Sequence, residues 1–319
     1  LQSNKKILIT GSSGFIGNYL VNCLINVFGE KNLKIYGIDR IGLNIKHKNY
    51  KFIKKDLYKL KRKDIPKINF DYIIHLAGIP SPVYYKQYPL RTIYLNSELT
   101  RELLEQSRIN QSKFIFFSSS EIYGNPDKKN IPTKETYNGN VSSIEDRSCY
   151  DEGKRVGETL CYFYKIKRGV DICIFRPFNV FGPGMPRNDY RVFPRFFSSI
   201  KDNKPITIFK SGKQTRTFCY VTDAITAMFI VTLNGKKFVY NIGNSKPELN
   251  MNKLHKIMQT SLKRKIKSIN ISYPRNYPKV EPQRRCPDTS KLLKEFNHRN
   301  KVSIKDAICR FHYWTSKYY

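Results

Sequence analysis

Short apolar runs alternate with longer stretches whose apolar positions recur every three or four residues, and this alternation fills the first half of the chain. Ile7-Leu8-Ile9 reads as a first strand and Phe15 to Phe28 as the helix behind it. Lys34 to Ile38 predicts a second strand, and Phe52-Ile53 a short third. Asp71 to Leu76 predicts a fourth, followed by an amphipathic helix from about Asn96 to Arg108. Lys113 to Phe117 (KFIFF) is apolar at consecutive positions, as a strand covered on both faces must be. A helix from Tyr150 to Lys167 leads into a sixth strand, Asp171 to Phe175. Strands alternating with helices in this way predict an α/β fold with a doubly wound parallel sheet. After Pro177 the elements shorten and proline becomes frequent, from Pro274 to Pro287, which predicts a smaller, less regular C-terminal substrate-binding region. The expected division is a dinucleotide-binding domain over 1–178, rejoined by a segment at about 215–245, with 179–319 mainly serving substrate.

Composition narrows the class. The 319 residues are 40% hydrophobic and 13% aromatic, enough for a sizeable core, so disorder is excluded. No run approaches the length of a membrane span, and no signal peptide is recognisable. Seven dispersed cysteines without a CxxC pair, and five scattered histidines, argue against a disulfide framework or a metal site and for a reducing, cytoplasmic setting. The net charge of +33 is the anomaly. Basic residues are spread along the whole chain rather than gathered in one arm, which disfavours nucleic-acid binding and suits an anionic small substrate steered by a positive field.

The first strand runs straight into Gly11-Ser12-Ser13-Gly14-Phe15-Ile16-Gly17 and then a helix. A helix N-terminus offers unpaired N–H groups and a partial positive charge to a pyrophosphate, and glycines let the backbone approach it. This arrangement predicts a Rossmann-type dinucleotide site. Asp39, closing the second strand, can accept hydrogen bonds from ribose hydroxyls and repel a 2′-phosphate, which favours NAD; Arg40 beside it argues the other way. Asp56-Leu57 suits the adenine edge, and Leu76-Ala77-Gly78 the cofactor-facing end of the fourth strand.

Tyr150 and Lys154 stand four residues apart on one helix face. A nearby ammonium favours the phenolate and would bring the tyrosine towards the working range of a general base.

The glycine loop, Asp39, the HLAG run at 75–78, Ser118 to Gly124, the Tyr150/Lys154 pair and Arg176-Pro177-Phe178-Asn179 occur in the order of the extended short-chain dehydrogenase/reductases, which the chain resembles nearly end to end. Ser148 to Arg155, Gln214-Thr215-Arg216 and Pro282 to Asp288 are similar to UDP-glucuronate decarboxylases in particular. The resemblance implies oxidation at carbon 4 of a nucleotide-linked sugar, UDP- or GDP-bound, with NAD as cofactor. It gives Tyr150 the proton of the 4-hydroxyl, Lys154 the nicotinamide ribose, and Ser119 a hydrogen bond to the same hydroxyl. Glu121 and Arg285 match the positions that handle the sugar carboxylate and reprotonation, with Arg284 as a substitute for Arg285. Ser120, Asn179, Arg191 and Arg216 would complete the substrate site, the arginines binding the diphosphate. A homodimer through the Tyr150 helix and the long helix before it, and a role in cell-surface polysaccharide biosynthesis, are implied as well.

The second step stays open at this level. Ser120-Glu121 replaces the Asp-Glu pair of related 4,6-dehydratases, so dehydration is disfavoured. Gly184 stands where the decarboxylases usually have arginine, which keeps a 4-epimerase or a 4-dehydrogenase of a hexose or heptose in play.

Overall fold

The computed structural model describes residues 3–42, 45–58, 60–279 and 281–319. Six strands appear in the first 177 residues: β1 (Lys6–Thr10), β2 (Lys34–Asp39), β3 (Tyr50–Lys54), β4 (Tyr72–His75), β5 (Lys113–Phe117) and β6 (Ile172–Pro177). With a seventh, Val239–Ile242, they form one parallel sheet in the order seventh, β6, β5, β4, β1, β2, β3. Side chains alternate faces along each strand. Ile7 and Ile9 therefore enter one core with Leu20, Val21 and Leu24 of α1 (Phe15–Phe28), while Leu8 enters the other with Leu99, Leu103 and Leu104. KFIFF divides the same way, Phe114 and Phe116 to one core, Ile115 and Phe117 to the other. Helices thus cover both faces, as the sequence reading requires. The chain leaves β1 to opposite sides for β2 and β4, and the carboxyl ends of these strands open the crevice where such folds bind ligand.

Some element bounds depart from the sequence reading. The third strand runs over Tyr50–Lys54, longer than Phe52-Ile53. The fourth ends at His75, one residue short of Leu76. The expected helix at 96–108 is instead preceded by α2 (Pro82–Gln87) and α3 (Pro89–Asn96), and itself becomes α4 (Glu98–Asn110). Pro82 and Pro89 occupy first-turn positions, where a missing N–H costs a helix nothing. The catalytic-helix candidate, α5 (Ser148–Arg168), starts two residues before Tyr150.

Beyond β6 come α6 (Val192–Lys201), α7 (Val221–Asn234), α8 (Met251–Leu262), α9 (Ser290–Phe296) and α10 (Ile304–Tyr318). Small sheets stand among them, including a parallel pair of Val180–Phe181 with Cys219–Tyr220 and two more. One of those two joins Leu249–Asn250, Thr215–Arg216 and Arg284–Arg285; the other pairs Ile206–Phe209 with Ser268–Ile271. The three-stranded one brings two arginines from distant sequence beside each other. Among the described residues no helix is long and apolar enough to cross a membrane.

Candidate active site

The chain turns out of β1 at Gly11, whose φ of +73° only glycine adopts readily. A Cβ on Gly17 would lie 2.1 Å from the Gly11 carbonyl oxygen, so the loop closes on the helix only with glycine there. Gly14 is the N-cap of α1 and supplies no side-chain cap, which leaves first-turn N–H groups for an anion, ahead of Phe15 and Ile16. Asp39 is held beside this loop: its carboxylate accepts from the backbone N–H of Ser13 (3.1 Å) and of Arg40 (2.7 Å). The Asp56 carboxyl is ion-paired with Arg91, and although burial pushes its pKa up, the hydrogen bonds from Arg91 and the Tyr58 N–H bring it below the usual value. Leu57 and Ala77 are buried core residues at the floor of the crevice. Leu76 packs partly buried against the neighbouring core.

At the far end, Gly78, Asn96 and Lys154 converge. A Cβ on Gly78 would stand 3.6 Å from Asn96 Oδ1 and 3.7 Å from Lys154 Nζ. Both polar atoms of the Asn96 amide are buried without a partner. A buried amide left unbonded is costly unless a ligand completes it. Glycine cradle, ribose-side carboxylate and orphaned amide fit a dinucleotide lying across the strand ends. Asn96 was missed in the sequence because nothing local distinguishes it; only the end of α3 carries it to Lys154.

Tyr150 and Lys154 are both buried on α5. The Tyr150 ring stacks on Tyr85, with centroids 5.4 Å apart and 15° between planes. Ser119 caps the short turn at 120–123 by accepting from the Glu121 N–H (3.2 Å), and its hydroxyl also bonds Tyr150. Burial raises the Tyr150 pKa, whereas the Ser119 bond and, at longer range, Arg191 and Arg147 favour the phenolate. The expectation that Lys154 activates Tyr150 is therefore modified. Lys154 Nζ lies 5.9 Å from the Tyr150 ring centroid and donates instead to the Phe117 carbonyl at 2.6 Å. Burial lowers its own pKa to about 7. Ser118, one residue earlier, donates to Glu158 and faces away.

Beside Tyr150 lies a buried ionic network. Arg147, just before α5, contacts Glu121, Asp151 (3.2 Å) and Glu281 (2.5 Å). Arg285 also pairs with Glu121 and reaches the Ser120 hydroxyl at 3.5 Å. Arg216 contacts Glu281 at 3.4 Å and donates to the Pro282 carbonyl at 2.8 Å. Burial raises the Asp151 pKa to about 6 against the pull of Arg147. Arg147 went unremarked in the sequence because its three carboxylate partners lie 4, 26 and 134 residues away. Arg284 cannot stand in for Arg285: neighbouring strand residues point oppositely, and Arg284 is committed to Glu248 by two bonds of 2.8 and 2.7 Å.

The network opens into a cleft whose lining includes Tyr85, Asn179, Arg191, Arg195 and Arg216. Arg191 is bound by Asp189 (2.6 Å). The Asn179 amide donates one N–H to the Thr217 carbonyl (2.9 Å), which leaves its second N–H and its oxygen for a ligand. Gly184, at φ +91°, sets its turn against Phe15 and Tyr19 at the start of α1. Among the described residues no group of three or more His, Cys, Asp or Glu is placed to hold a metal ion.

The profile of the NAD dependent epimerase/dehydratase family matches residues 7–243. UDP-glucuronic acid decarboxylase 6 of Arabidopsis thaliana is 35% identical over 310 residues, covering 96% of this chain and 88% of its own. UDP-glucuronic acid decarboxylase 1 of Xenopus tropicalis is 33% identical over 98% of this chain and 73% of its own. Among solved structures, UDP-glucuronic acid 4-epimerase from Bacillus cereus, in complex with UDP-glucuronic acid and NAD, superposes with a TM-score of 0.80 at 27% identity, covering 98% of this chain and 100% of that one. The UDP-N-acetylglucosamine 4-epimerase from Methanobrevibacter ruminantium gives 0.87 at 26% identity, covering all of both chains. With its glycine cradle, Tyr150/Lys154 helix and matching profile, the chain belongs to the NAD dependent epimerase/dehydratase family and is an NAD-dependent enzyme.

Proposed function

We propose that this enzyme decarboxylates a UDP-linked glucuronate through a 4-keto intermediate, and that the observation carrying this reading is the Arg147–Glu121–Arg285 cluster beside Tyr150. The cofactor would be held by the Gly11–Gly17 loop, Asp39, Gly78, Asn96 and Lys154; when bound, NAD supplies the hydride acceptor and, at the end, the donor. Tyr150 accepts the proton of the sugar 4-hydroxyl. Ser119 and the arginines favour its phenolate, which is how a buried phenol can serve as base. Lys154 holds the nicotinamide ribose.

Once carbon 4 is a ketone, a carboxylate on carbon 5 is that of a β-keto acid. The carbon–carbon bond breaks, carbon dioxide leaves with carbon 6, and the electron pair becomes an enolate. Glu121 and Arg285 face the carboxylate, carbon 5 of the enolate takes its proton from a water beside them, and Tyr150 returns its proton as the alcohol re-forms. Arg147 shares the Glu121 carboxylate with Arg285 and helps to fix it. Arg191, Arg216 and Asn179 border the remainder of the substrate.

The identity to decarboxylases over nearly the whole chain supports this reading. The Gly184 turn and the likeness to a glucuronate 4-epimerase favour a second one, in which Tyr150, Lys154 and Ser119 act alike and the keto-sugar is re-reduced on its other face. Incubation with UDP-glucuronate, UDP-hexoses and GDP-sugars, with products followed by mass, separates the two. Loss of carbon dioxide from UDP-glucuronate is expected; an unchanged mass with inverted carbon 4 would replace decarboxylation by epimerisation. We further propose a cytoplasmic homodimer. Its face would be formed by α4 and α5, where Ile109, Val156, Tyr162, Phe163 and Ile166 are exposed.

A further inference from the structure

The arginines around the cleft are not alike. Arg147 has three carboxylates, Arg285 has Glu121, Arg216 has Glu281, and Arg191 has Asp189. Arg195, one turn into α6 from Arg191, has none: among the described residues no carboxylate forms an ion pair with it. Its Nη1 donates to the Thr207 hydroxyl at 3.0 Å, its guanidinium carbon sits 3.7 Å from the centroid of the Phe209 ring, and its Nε is buried without a partner. Burial lowers its pKa to about 10, opposed only by Tyr277 and Tyr273. Buried cations are paired in folded proteins because desolvation costs several kcal/mol. Half-buried with its Nε enclosed, its guanidinium over a ring and no carboxylate paired with it, Arg195 lines the ligand cleft in a way explained by an anion that arrives with the ligand.

The position identifies which anion. Arg191, at the start of α6, acts electrostatically on Tyr150 and so marks the reacting end. Arg195 lies about 6 Å further along the helix axis. It faces Phe209, which packs edge-on against Tyr273 and Tyr277. A carboxylate at the reacting sugar is met by Arg285 and Arg147, so the group at Arg195 is further from carbon 4. Aromatic rings beyond it suit a base. We propose that Arg195, held by Phe209 and Thr207, binds a phosphate oxygen of the substrate's nucleoside diphosphate, an inference that rests on the nucleotide-sugar reading but not on decarboxylation. The planar fork gives charge-assisted bonds that a base carbonyl or a neutral sugar would not match.

Calorimetric titration of the NAD-loaded protein with UDP and with uridine tests this, in the wild type, Arg195→Gln and Arg195→Lys, with GDP and guanosine in parallel. In Arg195→Gln the diphosphate should bind about 10- to 100-fold more weakly, while the nucleoside changes less than about twofold. Arg195→Lys should recover part of the loss, because charge returns without the fork. NAD affinity and melting temperature, unchanged in both variants, guard against misfolding. Equal weakening of diphosphate and nucleoside would make Arg195 a base or packing residue and overturn the proposal, as would an unaltered diphosphate affinity. If diphosphate discrimination depends on Arg195 but UDP-glucuronate keeps its carbon dioxide, the inference stands and the decarboxylase reading falls. If no nucleoside diphosphate binds the wild type, both fall.

Discussion

Lys154 carries an ammonium into a place where the protein offers it one backbone carbonyl. Its Nζ donates to Phe117 O at 2.6 Å, and burial depresses its pKa from 10.5 to about 7. Each tenfold loss of proton affinity corresponds to about 1.4 kcal/mol, so the buried charge costs the native state about 5 kcal/mol below about pH 7, where folded and unfolded amines are both protonated. Lys154→Met keeps the length and removes the charge, but forfeits the bond to Phe117, worth about 1–2 kcal/mol. The variant without cofactor is therefore expected to be about 3 kcal/mol more stable at pH 6.5, and inactive. The pH dependence gives a second check. The folded pKa lies below the unfolded one, so between about pH 7 and 10.5 the unfolded chain binds more protons and wild-type stability rises with pH. The advantage of the variant should shrink over that window and nearly vanish by about pH 9.5. Urea midpoints and slopes at about pH 6.5, 8 and 9.5, at one protein concentration, measure both. A variant less stable than the wild type, or a difference that does not change with pH, would refute the uncompensated-charge argument.

Other outcomes follow from the same geometry. Tyr150→Phe should keep NAD affinity and the circular dichroism spectrum while turnover falls by about 10³-fold, from loss of the proton acceptor; steady-state kinetics decide it. Arg147→Met leaves Glu121, Asp151 and Glu281 facing one another without their shared cation, and is expected to cost about 3–5 kcal/mol in urea unfolding at about pH 8. That loss should lessen at about pH 5, where Asp151, already raised to about 6, is protonated. Gly17→Ala would drive a methyl into the Gly11 carbonyl, so NAD affinity measured by fluorescence titration should fall at least about tenfold.

Much of this protein can be read from local chemistry. Alternating strands and helices specify the doubly wound sheet because a strand buried on both faces must be apolar at consecutive positions, as KFIFF is. The glycine loop is legible because its need is local: a turn at positive φ and a helix end without a side-chain cap. Tyr150 and Lys154 are legible because a helix places residues four apart on one face. Their interaction was not: the ammonium goes to Phe117, and the hydroxyl finds Ser119, both from the β5 end.

What lay beyond the sequence depends on distant segments meeting. Asn96 matters through the end of α3, a helix outside the elements expected from the sequence. Arg147 becomes the centre of a charge network only when the turn at 120–123 and Glu281 close around it. Arg284 and Arg285 are equal in sequence, and the strand that carries them turns one to Glu248 and the other to Glu121. Arg195 differs from its neighbours by what does not reach it. By itself the sequence determined the sheet, the glycine loop and the placing of Tyr150 and Lys154 on one helix face, because period and turn chemistry are short-range. Only the tertiary structure decided which charges are paired, because pairing is a property of distance in space and of exclusion from water.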